Sequence, residues 1–257
     1  MKSLLATDLD GTVVFGTGVT ARDALALRKW RAAGNCLVLD TGKSLDAVRE
    51  VWHNHDLPLP DYVIAFTGAV IADGELNPLV THSHDAATLA TVASVLTSEQ
   101  VALYASDIER DYEVVNRVGR TSVILPRFRS ARLSWLEGRR LYGIPVFVPD
   151  AADRDRITTA LENALGDTVR VHRNQDFLDI VPSQMTKGRG LRRLLDELIP
   201  DHGTVITLGD SWNDLSMHAE ADLAVAMRHS PPDVIARCDK VVGSAAELID
   251  ELLQENS

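Results

Sequence analysis

One ordering constrains this chain more than any other feature. Short apolar runs alternate with segments of helical period. The runs are SLLATDL (3–9), CLVLDTG (36–42) and DYVIAF (61–66), and later GTVITLG (203–209) and DLAVAM (222–227). Between them, TARDALALRKWRAA (20–33) predicts a helix. Thr20 can cap it, Asp23 follows three residues on, and Gly34 stops it. SLDAVREVWHNH (44–55) predicts another, with Ser44 at its N-cap. Apolar strands separated by helices of this length predict βαβ units and a parallel sheet covered on both faces. The fold class is therefore α/β, a Rossmann-like doubly wound parallel sheet.

The alternation is interrupted. GAVIADGEL (68–76) predicts a hairpin turning at Asp73-Gly74. From about residue 82 a helix is predicted over 86–96, and strand patterns then follow one another without intervening helices: VALYAS, YEVVN and TSVIL. An arginine-rich stretch (127–140) predicts a helix, followed by IPVFV, a helix over 154–165, and strands near TVRVH and FLDIV. Adjacent strands of this kind predict an antiparallel α+β module. The βα order then resumes with KGRGLRRLLDELI (187–199). WNDLSMHAEA (212–221) predicts one helix, PPDVIARC a short one, and SAAELIDELLQ the last. The expected organisation is a core over 1–81 and 181–257 with an α+β cap domain inserted at 82–180.

Composition narrows the function. Lys+Arg 26 against Asp+Glu 37 gives a net charge of −11 over 257 residues, which disfavours nucleic acid and anionic membrane as partners. No run approaches the roughly 18 apolar residues of a membrane span. Two cysteines make no disulfide framework, and the N-terminus has no apolar signal region. The expected setting is the cytoplasm, as a monomer or small homo-oligomer.

In an open parallel sheet, ligands bind beyond the carboxyl ends of the strands. Asp8 and Asp10 follow the first strand, and Thr41-Gly42 the second. Lys187 opens the returning helix, and Asp210, Asn213 and Asp214 follow VITLG. Independent surface residues would not gather on one edge. Asp8 and Asp210 carry charge at neutral pH, and a phosphate monoester adds nearly two more. A divalent cation plus Lys187, about +3 together, nearly balances them. Oxygen ligands and a phosphate partner favour Mg²⁺. If the extended backbone persists to Asp10, residues at i and i+2 face one centre, so one carboxylate can attack phosphorus while the other protonates the leaving alcohol. Gly11 allows a sharp turn, Thr41 offers a hydroxyl donor, and Lys187 a point charge.

These residues resemble the haloacid-dehalogenase-like hydrolase superfamily. DLDGT matches its first motif, LDTG its second, Lys187 its third and GDSWND its fourth. The resemblance implies that Asp8 is the nucleophile that becomes aspartyl-phosphate and Asp10 the general acid/base. It implies Mg²⁺ held by Asp8, the Asp10 carbonyl and Asp210, with Asp214 orienting that metal site. It implies phosphate or substrate binding by Thr41, Gly42, Lys187 and Asn213. An insert between the second and third motifs resembles the Cof-type and sugar-phosphatase branch. TGKS, PDYVIAFTGAVI and LDIVPSQMTKGRGL look most like sucrose-phosphate-phosphatase-type proteins. The implied substrate is a small phosphorylated metabolite, a sugar phosphate. Dehalogenases of the superfamily lack the second aspartate; Asp10 fits an alkoxide leaving group, which needs a proton.

Two departures stand out. Lys43 replaces the usual arginine of the second motif, and Arg228-His229-Ser230 replaces Gly-Asn-Ala in a late loop. A phosphosugar mutase or phosphotransferase is an alternative on the same core. A phospho-aspartate switch like a response-regulator receiver is another, but receivers are far shorter and do not carry their acceptor on the first strand. HNHD (53–56) and HSHD (82–85) read as a helix end and a linker rather than metal sites, because no third ligand type recurs nearby. Arg117, His172, Arg173 and Asn174 could meet sugar hydroxyls or simply line a surface strand. Trp30 and Trp52 sit at apolar helix positions and read as packing.

Overall fold

The structure is a computed structural model and describes residues 2–16, 18–55, 57–119, 128–174 and 176–255. Its strands are β1 (Leu4–Thr7), β2 (Cys36–Asp40), β3 (Tyr62–Ala65), β4 (Val70–Asp73), β5 (Pro78–Thr81), β6 (Ala102–Ser106), β7 (Asp111–Asn116), β8 (Arg129–Ser130), β9 (Ile144–Phe147), β10 (Val169–Asn174), β11 (Phe177–Pro182), β12 (Val205–Gly209), β13 (Leu223–Met227) and β14 (Lys240–Val242). Its helices are α1 (Ala21–Ala32), α2 (Leu45–His55), α3 (Thr88–Val95), α4 (Leu133–Leu136), α5 (Ala151–Leu165), α6 (Lys187–Glu197), α7 (Leu215–His218), α8 (Pro232–Ile235) and α9 (Ala245–Glu255).

The chain divides into two compact units. The first holds Met1–Gly42, Arg49–Thr81 and Thr186–Ser257; the second holds Lys43–Val48 and His82–Met185. The first is built on a sheet of order β14-β13-β12-β1-β2-β3-β4-β5. Pairing is parallel from β14 to β3, and antiparallel from β3 to β5. The α/β, Rossmann-like expectation holds, with an antiparallel edge added by the hairpin. That hairpin turns over more residues than Asp73-Gly74. Asp73 Oδ1 accepts from the N–H groups of Glu75 (3.0 Å) and Asn77 (2.8 Å), so one aspartate side chain organises the whole turn.

β1 lies between β2 and β12, so the strand order reverses there and the carboxyl end of β1 opens at a topological switch point. The strands of this region are buried apart from the half-buried Cys36 at the start of β2, as their unbroken apolar runs require. α6 covers one face. Leu191, Leu194 and Leu195 bury at helical spacing against Leu4, Ala6, Val38 and Ile64. Truncating any of these leucines to alanine costs about 2–5 kcal/mol. Thr20 caps α1 by accepting from the Asp23 N–H at 3.0 Å, and Trp30 and Trp52 are buried with their indole N–H groups on Cys36 and Pro58 carbonyls.

The second unit has a sheet of order β10-β11-β9-β6-β7-β8, antiparallel except for the short β7–β8 pair. Its own core packs α3 and α5 onto the sheet through Leu89, Val92, Ile157, Leu161, Ile144 and Ile180. TSVIL lies outside the described residues. The arginine-rich stretch is not the helix its composition suggests: among its described residues only Leu133–Leu136 is helical, and Arg129–Ser130 is a strand. That stretch has no apolar stripe long enough to fix a helix, and its one turn is the part that buries Leu136. WNDLSMHAEA likewise forms a 3₁₀ turn at Trp212–Asp214 and then the four-residue α7.

Candidate active site

Strand pairing delivers the first carboxylate. β1 ends at Thr7, and the Asp8 N–H adds one more ladder bond to the Leu208 carbonyl at 2.8 Å. The chain then turns at once. The Leu9 carbonyl accepts from Val13 at 3.0 Å and Val14 at 2.7 Å, and Gly11 adopts φ +80°. Asp10 therefore lies in the turn beyond the regular strand, and strand periodicity does not fix its direction. Gly11 is required here twice over. Its φ favours glycine, and an added Cβ would lie 2.6 Å from Asp210 Oδ2.

Lys187 is the electrostatic centre. Thr186 accepts from the Arg189 N–H at 3.0 Å and caps α6, which places Lys187 in its first turn. Its ammonium is fully buried and donates to Asp8 Oδ1 and Asp214 Oδ1, both at 2.6 Å. Burial alone would lower the lysine. Asp214, Asp8 and Asp40 outweigh burial and hold it charged above its ordinary range. Asp214 is committed on its other oxygen, which accepts from the N–H groups of Asp210 and Ser211, each at 2.9 Å. It thereby shapes the loop that presents Asp210.

Asp8, Asp210 and Asp214 each bring a carboxylate oxygen within 4.8 Å of the others. Burial, then Asp214 and Asp10, push Asp8 up to about 8 against the pull of Lys187. Burial and then Asp214 raise Asp210, opposed by His229, Lys187 and Thr12. One lysine does not neutralise this cluster. An all-oxygen donor set with surplus negative charge suits a hard divalent cation. Among the described residues no other trio of His, Cys, Asp or Glu is grouped this way.

The remaining predicted residues are placed as follows. Thr41, buried, follows β2, with its N–H on the Ile64 carbonyl and its own carbonyl accepting from Thr67; Gly42, half-buried, comes next. Asn213 sits in the 3₁₀ turn after β12, and its Oδ1 is buried with no hydrogen-bond partner. His229 of the late loop puts Nε2 3.7 Å from Asp210 Oδ2 and meets Phe15 edge-on, while Arg228 pairs with Glu247. His84 of HSHD is a core histidine: it is buried, bonded to the Ile180 carbonyl at 3.0 Å, and held near 4, mainly by burial. Asp56 of HNHD and the side chain of His53 lie outside what is described.

Sequence reasoning missed two groups. Thr12 is fully buried with its hydroxyl 3.5 Å from Asp8 Oδ2 and 3.4 Å from Asp210 Oδ1, spanning the two carboxylates. The DLDGT stretch already contained it. Asp40 is fully buried at the end of β2, and neither carboxylate oxygen has a hydrogen-bond partner. A charged residue inside an otherwise apolar run was the available signal.

A family model described as haloacid dehalogenase-like hydrolase matches residues 5–249. The chain belongs to this family. A glucosylglycerol-phosphate synthase of Pseudomonas anguilliseptica is 29% identical over 90% of this chain, which spans only 27% of that protein's length. A putative phosphatase, YxeH of Bacillus subtilis, is 25% identical over 91% of this chain and 90% of its own. A mannosylfructose-phosphate phosphatase of Agrobacterium fabrum is 27% identical over 83% of this chain and 77% of its own. In fold, a haloacid dehalogenase-like hydrolase from Bacteroides thetaiotaomicron superposes with TM-score 0.84 at 20% identity, covering 98% of this chain and all of that one. The chain is thus a haloacid dehalogenase-like hydrolase.

Proposed function

We propose that this enzyme is a Mg²⁺-dependent phosphatase that hydrolyses a small phosphomonoester, a sugar phosphate, through an aspartyl-phosphate on Asp8. The observation that carries this is the buried Lys187 ammonium, 2.6 Å from both Asp8 and Asp214, at the switch point of the sheet. Asp8 attacks phosphorus, and the bond from phosphorus to the alcohol oxygen breaks. Asp10 gives its proton to that oxygen, then takes one from the water that cleaves the acyl phosphate. Lys187 keeps its protons and offsets charge on the transferring group. Thr41, Gly42 and Asn213 bind the phosphate or the substrate, and the unpartnered Asn213 Oδ1 can accept a hydroxyl.

Asp8, Asp210 and the Asp10 carbonyl would hold Mg²⁺, with Asp214 fixing the loop. Bound there, the cation would lower the cost of bringing a phosphate dianion to an ionised Asp8. The segment over 82–180 is read as the cap that confers specificity, and the mannosylfructose-phosphate phosphatase likeness supports a sugar phosphate. Both cysteines are free thiols and, among the described residues, no helix is long and apolar enough to cross a membrane. The cytoplasm is the proposed compartment.

The test is phosphate release from a panel of sugar phosphates by the purified protein, with Mg²⁺ and with a chelator. Asp8→Asn is expected to abolish release. Undiminished turnover in that variant would sink the mechanism.

A further inference from the structure

Asp40 is a carboxyl that the mechanism does not use. It ends β2, where Leu39 pairs with Thr7 of β1 and Asp40 itself with Ile64 of β3. Continuing that parallel register sets Asp40 beside Asp8, and registered residues of neighbouring strands share a face. That face carries Ala6, Val38 and Ile64, and α6 packs on it. Asp40 is fully buried, and both its oxygens lack a hydrogen-bond partner. Lys187, Asp214 and Asp8 all act on it electrostatically. Unpartnered buried carboxyls are rare because each forgone bond leaves a desolvated acceptor uncompensated. A site that keeps one has a use for an acceptor.

Lys187 supplies the use. An ammonium has three protons to donate. Two go to Asp8 and Asp214. When Asp8 is esterified, its carboxylate becomes an acyl phosphate. The negative charge on Oδ1 is then gone, and that oxygen is a weak acceptor. Lys187 is buried among side chains and loses half of its charge-assisted anchoring at the moment a water must be aligned.

We propose that Asp40 is a positioning residue, the reserve acceptor that holds the Lys187 ammonium in place while Asp8 carries the phosphoryl group. No proton or bond is exchanged between them; Lys187 only shifts a hydrogen bond. This rests on Asp8 being the phosphoryl acceptor. Phosphorylation of Asp8 starts from the free carboxylate, with Lys187 doubly held. Its rate is therefore nearly independent of Asp40. Hydrolysis of the phosphoenzyme depends on it.

The experiment uses p-nitrophenyl phosphate with Mg²⁺ in rapid-mixing measurements on the full chain. Nitrophenol release reports phosphorylation of Asp8, and phosphate release reports hydrolysis. Asp40→Val and Asp40→Ala remove the acceptor; Asp40→Asn keeps an oxygen acceptor of the same shape. In Val and Ala, hydrolysis is expected to slow tenfold or more, with a nitrophenol burst approaching one per site. In Asn, both rates stay within about threefold of the parent. Equal slowing of both steps, no burst in either acceptor-free variant, or an Asn variant as slow as Val overturns the assignment. If Val does not fold, Ala and Asn decide it. Asp8→Asn separates the two readings. If it still turns over, the aspartyl-phosphate mechanism fails. If it is inert while the Asp40 variants show no burst, only the role of Asp40 fails.

Discussion

Lys187 is a buried cation whose partners are themselves buried, so its removal is more than the loss of one bond. Without it, Asp8 and Asp214 keep their burial and lose their cation, a situation that costs about 3–5 kcal/mol. Lys187→Met is therefore expected to melt lower than the parent, with a deficit that grows from pH 5 to pH 8. The sign follows from linkage. Lys187 pulls Asp8 down, so losing it raises Asp8 further in the folded state; the native protein then holds a proton that the unfolded chain releases, and stability falls as pH rises. Calorimetry at the two pH values checks this; an equal deficit at both would contradict it. Asp40 shows the same sign in the parent. Burial first, then Asp214 and Asp8, raise it well above the carboxylate range against the pull of Lys187. Its contribution to stability is fully present below about pH 4 and is lost as pH climbs toward the raised value. Asp40→Asn cannot ionise. It is expected to melt higher than the parent at pH 8 in chelator, by roughly 1–3 kcal/mol, with the gain vanishing near pH 4. A loss of stability at pH 8 would show that the ionised carboxylate is stabilising. Asp8, Lys187 and Asp210 were legible because charged residues at strand ends stand out against apolar runs. Asp40 also ends an apolar run, but its significance is an absent partner, and that of Thr12 is a bridging position. Neither is written in spacing.

At the scale of elements, the parallel strands were readable because a strand covered on both faces has no polar side to blur it. Short helices were not, since four-residue turns such as α4 and α7 lack the periods that distinguish a helix from a loop. The glycines of KGRG gained their meaning only from packing. Gly188 brings α6 against the Ser216 carbonyl, where an added Cβ would lie 1.9 Å away. Gly190 crosses Gly68, and a Cβ there would lie 2.6 Å from Ile64 Cγ2 and 2.8 Å from the Gly68 Cα. These crossings set the height of the first turn of α6, and hence of Lys187. Gly190→Ala pits about 1 kcal/mol of improved helix propensity against overpacking of about 1–3 kcal/mol. Overpacking wins, because one of the contacts is backbone and cannot rotate away. The variant is expected to lose roughly 10–100-fold in kcat, since a shift of about 1 Å at a catalytic group is that costly. A kcat unchanged beside a lowered Tm would mean that α6 repacks without moving Lys187.

The whole molecule contains two compact units with separate hydrophobic cores, one around Leu4, Ile64 and Leu194, the other around Leu103, Ile144 and Leu161. The strand order that sets β1 between β2 and β12 rests on long-range pairing, which no local pattern encodes. Every residue proposed for Mg²⁺ lies in the first unit, and so do Lys187 and Asp40. A ligand stabilises only the folding unit that binds it. It does so by RT ln(1 + [L]/Kd), about 2.7 kcal/mol at a concentration of 100 Kd. Separate cores predict that calorimetry resolves more than one transition, or a van't Hoff enthalpy below the calorimetric one. Mg²⁺ is expected to raise the transition of the first unit and leave that of the second in place. Asp210→Asn is expected to abolish the shift. It also removes one charge from an over-acidic cluster, so its melting point in chelator should equal or exceed the parent's. A uniform rise of both transitions would instead report one cooperative unit. A shift that survives Asp210→Asn would move the cation away from Asp8 and Asp210, and with it the charge balance on which the chemistry proposed at Asp8 depends.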